Sequence, residues 1–324
     1  MAKLRSNCQD LFQPIQLGVG TPRGCEIAVH ALRKWLESPN VEERVLLKID
    51  FRNAFNCIRR DKLLELVLFH TPQIYSFVYQ AYSKASYLFF GEKDIIMSEM
   101  GVQQGDPCGP FLFSLAILNL THQMKSKGNI WYLDDGTLLG SMKSISEDFE
   151  TIKSASTSLG LEVNPGKCEL MVVDQLSQED TALLAKFCSE NPEMRLIGNE
   201  DLTLLGSPVL PETIEKVLRS KLESLKLMAN RLESLDAHDA MFLLKNCFAL
   251  PKLTYFLRTS PCFLKEEVLK EYDKTIQTSL QSILNIKLEG NSATQSSLPV
   301  RLGGLGVRSA WDISVPAFLS SVSG

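Results

Sequence analysis

Hydrophobic and polar positions follow different patterns in the two parts of the chain. Before about residue 210, GCEIAVHALRKWLE predicts a helix, VLLKIDF predicts a strand, and YLFFGEKDIIMSEMG predicts a hairpin around a turn that contains glycine. From Pro211 onward strand patterns nearly vanish, and apolar residues recur every three or four positions, as on the buried face of a long helix. These residues are Ile214, Leu218, Leu222, Leu225, Met228, Leu232 and Leu235. Further helices are predicted at about Ala237 to Leu250 and Leu264 to Leu284, so the pattern indicates a mixed α/β part followed by a small helical bundle.

The last segment, SSLPVRLGGLGVRSAWDISVPAFLSSVSG, combines a glycine-rich turn with an apolar helix that stops with the chain. A half-formed amphipathic element has too little to pack on. We therefore expect this segment to be truncated.

Composition places the chain among ordinary globular proteins. Hydrophobic residues make up 44% and charged residues 22%, which excludes a disordered or fibrous chain. The longest apolar stretch, FLFSLAIL, is too short to cross a bilayer, and the start MAKLRSNCQD has no apolar signal core. The 8 cysteines form no CxxC pair, which favours reduced thiols in an intracellular compartment, nucleus or cytoplasm. The net charge of −4 lacks the basic excess of a typical nucleic-acid binder.

Acidic residues at strand ends are the strongest chemical signal. Asp50 follows VLLKI, where a strand would fix a carboxylate at the edge of a cleft, although such aspartates also begin turns. In NIWYLDDGTLLGS, two alternating strands flank a tight hairpin with Asp134 and Asp135 at its tip, and Asp-Gly is itself a common hairpin turn. A turn does not require the second acid, and the repulsion between adjacent carboxylates is relieved when divalent cations lie between them and a third acid. Three such acids can hold two Mg²⁺ ions for phosphoryl transfer.

Between these acids lies GVQQGDPCGP, a turn-rich loop. Gly105 and Pro107 lie in the turn, and Pro110 suits the first position of the apolar helix that follows, since it needs no amide donor there. A glycine-rich loop lets the backbone approach a ligand closely, and Gln104 offers both a donor and an acceptor beside it.

The order and spacing of these segments resemble reverse transcriptases, and specifically those of non-LTR (LINE-type) retrotransposons. DFRNAF, QGDPCGP and YLDDG resemble motifs A, B and C of that family. SLGLEVNPGKCELMV is similar to motif D, LTLLGSPV to the primer-grip motif E, and SSLPVRLGGLG to the segment after the thumb. The resemblance extends from about Gln16 nearly to the end of the chain.

The resemblance implies an α+β fold: a polymerase palm, with an antiparallel ferredoxin-like sheet and helices, followed by a helical thumb. Residues 1–40 would be a residual fingers segment and 41–210 the palm with motifs A to E. Residues 211–290 would form the thumb, and 291–324 a truncated segment after it.

The resemblance also implies an activity, RNA-directed DNA polymerisation with dNTPs on an RNA template and a DNA primer. Asp50, the Phe51 carbonyl, Asp134 and Asp135 would bind two Mg²⁺ ions, for which Mn²⁺ can substitute. Lys167 resembles the motif D lysine that protonates the leaving pyrophosphate, although a lone lysine is more often a solvated surface charge.

Further implied roles concern the nucleotide. Phe55 would stack under its sugar and exclude a ribose 2′-OH. When the resemblance is set aside, the sequence is equally consistent with an aromatic residue of the hydrophobic core. Gln104, Gly105 and Pro107 would also bind substrate. The stretch GLEVNPGKC mimics a Walker A loop, but the glycine spacing is wrong and Cys168 stands where Ser or Thr should bind Mg²⁺, so we reject an NTPase.

Two alternatives to an active polymerase stay open. Only about fifteen residues precede QLGVGTPRG, so the basic fingers hairpin that binds the triphosphate is expected to be missing. The chain could then be a catalytically impaired or domesticated retrotransposon fragment that only binds nucleic acid. A nucleotidyl cyclase shares a palm-like sheet with paired acids, but the QGDPCGP loop and the LLGSPV stretch have no role in that reaction. The oligomeric state stays open.

Overall fold

The computed structural model describes residues 8–38, 44–91 and 94–323. The helices are α1 (Gly24–Leu36), α2 (Ala54–Cys57), α3 (Arg60–His70), α4 (Pro72–Tyr82), α5 (Gly109–Ala116), α6 (Leu118–Thr121), α7 (Met142–Ser158), α8 (Gln178–Glu190), α9 (Pro211–Leu232), α10 (Ala237–Leu243), α11 (Leu250–Thr259), α12 (Glu266–Leu284), α13 (Asn291–Ser297) and α14 (Ala310–Val322). The strands are β1 (Val45–Ile49), β2 (Ser86–Phe90), β3 (Asp94–Ser98), β4 (Gly128–Tyr132), β5 (Asp135–Gly140), β6 (Glu169–Val172), β7 (Arg195–Leu196), β8 (Thr203–Leu204) and β9 (Ser207–Pro208).

The described residues divide into two compact units, each with its own hydrophobic core. One takes in the residues up to Gly198 apart from Val29–Arg33, and the other takes in Val29–Arg33 and the residues from Asn199 onward. This division falls earlier than the boundary expected at residue 210, because the short β8–β9 hairpin groups with the helices that follow it. The expected fingers segment, residues 1–40, lies partly outside the described residues.

A five-stranded sheet forms the centre of the first unit, in the order β4-β5-β1-β6-β7. Strand β1 is central and four of its five residues are buried, as the largely apolar run VLLKI predicts. It pairs antiparallel with β5 on one side and with β6 on the other. The predicted α+β class is confirmed, with one correction: the sheet is not wholly antiparallel, since β7 pairs parallel with β6.

Helix α5 packs in the core of the first unit. The whole of the run GPFLFSLA in α5, apart from Pro110, is buried, which explains why its sequence lacks a polar face. Pro110 lies in the first turn of α5, as predicted. Strands β2 and β3 form a separate two-stranded sheet, so the predicted hairpin is confirmed.

The second unit contains the long helix α9, whose predicted apolar stripe is buried at Ile214, Leu218, Leu222 and Leu225. The single helix expected at about 237–250 is wrong in detail, because the α-helix ends at Leu243 and continues as a π-helix, Leu244–Phe248. A further helix, α11, lies between the helices expected at about 237–250 and 264–284, where the sequence analysis predicted none. It can begin there because Pro251 lies in its first turn, where no amide donor is needed.

The final helix, α14, was expected to have too little to pack on, and this is wrong. Its residues Ala310, Ser314 and Ser321 are buried. Asp273 of α12 accepts hydrogen bonds at the start of α14 from Ser309 Oγ (2.7 Å), Ala310 N (2.6 Å) and Trp311 N (3.0 Å). These contacts dock the helix within the second unit.

In the described part of the chain, none of the helices has both the length and the apolar character needed to cross a membrane.

Candidate active site

Asp50 lies directly after β1, as predicted, and its position is fixed by a residue far along the chain. Asn164 donates from its backbone N to the Asp50 carbonyl oxygen (2.8 Å) and from its side chain to Asp50 Oδ1 (3.1 Å). The next residue, Phe51, has its ring buried and stacked on that of Trp131, with the ring centroids 6.2 Å apart. The buried ring therefore anchors the backbone that carries the Phe51 carbonyl.

The hairpin between β4 and β5 brings the other two acids to the same end of the sheet. Ile49 pairs with Gly136, so Asp50 and the hairpin turn are neighbours across adjacent strands. Tyr132 pairs with Asp135, so the turn residues are Leu133 and Asp134, and the predicted Asp134–Asp135 tip is wrong by one residue. Leu133 adopts a left-handed backbone conformation with φ 56°, which is unusual for a residue with a Cβ.

Gln16 holds this unusual turn in place. Its side-chain oxygen accepts from Leu133 N (2.7 Å), and its side-chain nitrogen donates to the Leu133 carbonyl (3.0 Å). Gln16 is buried, at 2% exposure, and the contact joins positions 117 residues apart. Sequence reasoning missed both Gln16 and Asn164, because a single amide side chain has no local pattern that predicts a distant partner.

The three carboxylates influence one another electrostatically. Burial, followed by the charge of Asp50, raises the pKa of Asp134. The pKa of Asp135 is raised to about 6, first by loss of hydration and then by the charges of Asp134 and Asp50, while Lys48 opposes the rise. Although the Asp135 side chain remains accessible to solvent, the protein packed around the turn reduces its hydration. Such clustered negative charge is the donor set that suits a hard divalent cation.

The carboxylates are not gathered into a coordinating arrangement. Among the described residues, no three His, Cys, Asp or Glu side chains are placed to hold a metal ion together. Asp50 directs one oxygen to Asn164, and like charges repel unless a cation lies between them. The residues fit a divalent ion in their chemistry and in their common location at one end of the sheet.

Phe55 lies on α2, beside the start of the QGDPCGP loop. Its carbonyl accepts from Val102 N (2.7 Å), which joins the loop to α2. Its ring stacks on that of Phe113 in α5, with the centroids 4.5 Å apart and the planes 11° apart. The ring is only partly buried, so Phe55 packs on the core and still retains exposed surface.

The QGDPCGP loop presents its predicted substrate-binding residues to solvent. Gln104, Gly105 and Pro107 are all exposed, and Gly105 has φ 92°, which favours glycine. Asp106 between them faces the protein, where its Oδ1 accepts from Cys108 N (2.8 Å) and its Oδ2 accepts from the Tyr82 hydroxyl.

Two residues that the sequence analysis did not single out form hydrogen bonds to this loop and to the backbone just before it. Tyr82 receives a hydrogen bond from Gln103 N (3.3 Å), and loss of hydration together with the Asp106 hydrogen bond raises its pKa to about 12. Arg60 donates to the carbonyls of Gly101 (2.9 Å) and Ser98 (2.7 Å) and lies over the Tyr82 ring. No local pattern in the sequence marks either residue.

Lys167 ends a 3-10 turn, Pro165–Lys167, and its side chain is exposed. Its backbone N donates to the carbonyl of Asn164, the residue that contacts Asp50 (3.0 Å). The next residue, Cys168, is buried, and burial raises the pKa of its thiol to about 11. The turn leads into strand β6, whereas a Walker A loop leads into a helix, so the Walker A resemblance is correctly rejected.

Comparisons with known proteins show the family to which the chain is similar. Residues 1–209 match the sequence profile of the family described as "Reverse transcriptase (RNA-dependent DNA polymerase)". Over 318 residues the chain is 24% identical to the "Retrotransposable element SLACS 132 kDa protein" of Trypanosoma brucei gambiense. The aligned region covers 95% of this chain and 26% of that protein. The chain therefore spans about a quarter of the length of this relative.

Two solved structures of telomerase are also similar to the chain. The telomerase of Candida albicans, solved with a fragment of telomeric RNA, has a TM-score of 0.45 and 11% identity over 90% of this chain and 53% of that one. The telomerase of Candida tropicalis has a TM-score of 0.42 and 11% identity over 88% of this chain and 55% of that one.

Proposed function

The chain belongs to the reverse transcriptase family, and we propose that it is an RNA-directed DNA polymerase that extends a DNA primer on an RNA template. The observation that carries this proposal is the convergence of Asp50, Asp134 and Asp135 at one end of adjacent strands. The match over residues 1–209 supports it.

The family generally uses divalent metal ions. In this chain the carboxylates of Asp50, Asp134 and Asp135 and the carbonyl oxygen of Phe51 are the groups that would bind two Mg²⁺ ions, or Mn²⁺ in their place. When bound, such ions supply activation of an attacking hydroxyl and neutralisation of the charge that develops in phosphoryl transfer. Gln16 holds the hairpin turn that carries Asp134, and the backbone of Asn164 holds the backbone at Asp50.

The neighbouring residues would bind the dNTP. The partly exposed ring of Phe55 would lie against the sugar and leave no room for a 2′-OH. Gln104, Gly105 and Pro107 would contact the substrate from the exposed loop, which Asp106, Tyr82 and Arg60 support. Lys167 would place a cation near the leaving pyrophosphate, where it stabilises negative charge.

The template and primer would be held through their backbones rather than read base by base. A polymerase must accept every sequence, and phosphate and sugar contacts position a duplex without reading it. The pairing of an RNA template with a DNA primer gives an A-like duplex that a protein recognises mostly by shape.

The direct test is primer extension on an RNA template with dNTPs and Mg²⁺. Asp134→Ala removes one proposed ligand from the turn, and we expect extension to fall by about 10³-fold or more, since metal ions contribute several kcal/mol to such transition states. Glu179→Ala, which changes an exposed acid on α8, is the matched control and should leave extension unchanged. Equal extension by Asp134→Ala and the parent would show that the acid assignment is wrong.

The same assay separates the polymerase from the alternative of a chain that only binds nucleic acid. A parent protein that binds the RNA–DNA duplex but extends no primer, with either Mg²⁺ or Mn²⁺, would establish binding without turnover.

A further inference from the structure

The second unit contains a cavity of about 250 Å³ that the polymerase chemistry does not use. It lies where the π-helix meets the glycine-rich segment that follows α13, and it is partly open to solvent. Its lining combines two cationic side chains with amide, hydroxyl and apolar groups, and contains no carboxylate among the described residues. The lining residues are Lys245, Asn246, Ala249, Leu250, Pro251, Thr254, Gly306, Val307 and Arg308.

The backbone on both sides of the cavity has an irregular geometry that brings Lys245 to the glycine-rich segment. Lys245 lies on the π-helix Leu244–Phe248, and π-helical turns often mark functional sites. Its Nζ lies 2.9 Å from where a Cβ of Gly306 would be, and Gly306 has φ 70°. A Cβ at this position would displace the amine at the end of the flexible lysine side chain.

The charge at this cavity is not balanced within the described residues. Neither Lys245 nor Arg308 forms an ion pair among the described residues, and the two line one cavity that has no carboxylate in its described lining. In a chain with a net charge of −4, two neighbouring cations without a carboxylate form a local positive site that attracts an anion.

We propose that this cavity binds a backbone phosphate of the primer–template duplex through Lys245 and Arg308. This inference rests on the proposed function and names a contact for its nucleic-acid substrate. A guanidinium and an ammonium are the two side-chain groups that proteins use most for phosphate, the first with a planar fork and the second as a compact charge. The contact carries no sequence information, as a polymerase requires.

The test measures equilibrium binding of a labelled RNA–DNA hybrid by fluorescence anisotropy across a salt titration, without dNTPs. Affinity falls as salt rises, and the plot of log affinity against log salt becomes less steep by about one for each phosphate contact that is lost. We expect Lys245→Gln and Arg308→Gln each to make the salt dependence less steep, and the double substitution to reduce the steepness by about one, equally for hybrids of different sequence. Lys226→Gln removes a cation that is paired with Glu223 and Glu271, and it should leave the slope unchanged.

A glycine pair provides a test that keeps all charges. Gly306→Ala places a Cβ against the Lys245 amine, so it should weaken hybrid binding in the same direction as Lys245→Gln. Gly303→Ala is the matched control, because Gly303 also has a positive φ (79°) but has open space where the Cβ would lie. Circular dichroism of each variant checks that the fold is intact, and Lys245→Gln decides the question if either glycine variant does not fold.

The outcomes distinguish this inference from the proposed function. Unchanged slopes for both Lys245→Gln and Arg308→Gln would overturn the phosphate site, even if the protein extends primers normally. Thermal stabilisation by inorganic phosphate that requires Lys245, without any change in the salt slope for hybrid, would assign the cavity to a free phosphate and likewise overturn the duplex contact. Reduced slopes in a protein that extends no primer would support the contact and count only against catalysis.

Discussion

A single aromatic side chain meets the structural requirements of two roles that the sequence analysis treated as alternatives. The ring of Phe55 stacks on Phe113 in the core, and part of its surface remains exposed beside the QGDPCGP loop. Core packing fixes the ring, and a fixed ring is what excludes a 2′-OH effectively, since a mobile one would move aside. The structural role therefore supports the proposed one.

Shortening this ring is expected to relax sugar selection. Phe55→Val creates space beside the loop, so incorporation of rNTPs relative to dNTPs should rise by about tenfold or more, even if the overall rate falls, because a steric clash is removed. The measurement is single-nucleotide extension with each nucleotide in turn.

A second aromatic residue serves as the control for this prediction. Phe89 on β2 is 78% exposed, and Phe89→Val should not change the nucleotide ratio. If the ratio is also unchanged for Phe55→Val, the ring is a core residue only.

At the scale of an element, helix α4 ends at the residue that supports the loop before α5. The Tyr82 hydroxyl donates to Asp106 and accepts from Gln103 N, so the end of one helix determines the path of a segment about twenty residues later. Arg60 on α3 adds bonds to the backbone just before that loop. The exposed residues Gln104 and Gly105 are thereby held on a supported backbone.

Removal of the Tyr82 hydroxyl should loosen this loop. Tyr82→Phe leaves Asp106 and Gln103 N with fewer partners, and we expect the free energy of unfolding to fall by roughly 1–3 kcal/mol near neutral pH. Primer extension at limiting dNTP should also slow. Tyr79→Phe, on the same helix but half exposed, should have little effect on either measurement.

The effect of Tyr82 depends on pH in a defined direction. Its pKa is raised from 10.0 to about 12 by burial and by the Asp106 hydrogen bond, so its stabilising contribution is complete below pH 10 and is lost as the pH rises through about 12. Urea unfolding of the parent and of Tyr82→Phe should therefore give a stability difference that shrinks across this range. A constant difference up to pH 12 would show that the hydroxyl is not bonded as described.

For the whole molecule, the main feature is that the two units have separate hydrophobic cores. The first core surrounds the central sheet and includes Leu47 and Trp131, whereas the second joins α9, α11 and α12 and includes Leu218 and Leu253. A core loses stability locally when a buried side chain is shortened, because a cavity remains.

Leu253→Ala should test whether the units unfold separately. Leu253 is fully buried, and the substitution should lower the stability of the second unit by roughly 2–5 kcal/mol. Hydrogen exchange should quicken in α9, α11 and α12 but not in β1, since local unfolding follows cooperative units. Leu264→Ala, at a position that is 60% exposed, is the control; equal acceleration in β1 would show a single cooperative unit.

The local pattern of residues determined much of this molecule in advance. Strand β1, the hairpin of β4 and β5 and the long helix α9 follow from apolar periodicity, because burial of one face leaves a repeat that a short window reveals. The three acids, too, stand next to recognisable strands. The boundaries of shorter elements were harder to predict: the π-helix at Leu244–Phe248 interrupts the α-helical repeat, and helix α11 was missed although its buried residues Leu253, Phe256 and Leu257 recur at helical spacing.

Only the tertiary structure decided which residues support the acids and the loop. Gln16 contacts Leu133, Asn164 contacts Asp50 and Tyr82 contacts Asp106, and each pair is well separated along the chain. The cavity beside Lys245 likewise depends on Gly306, a residue about sixty positions later. A hydrogen bond or a close approach between distant residues requires the whole chain to be packed, and it imposes no periodic pattern on its neighbours. This is why the sequence located the candidate chemistry, whereas its support became visible only in three dimensions.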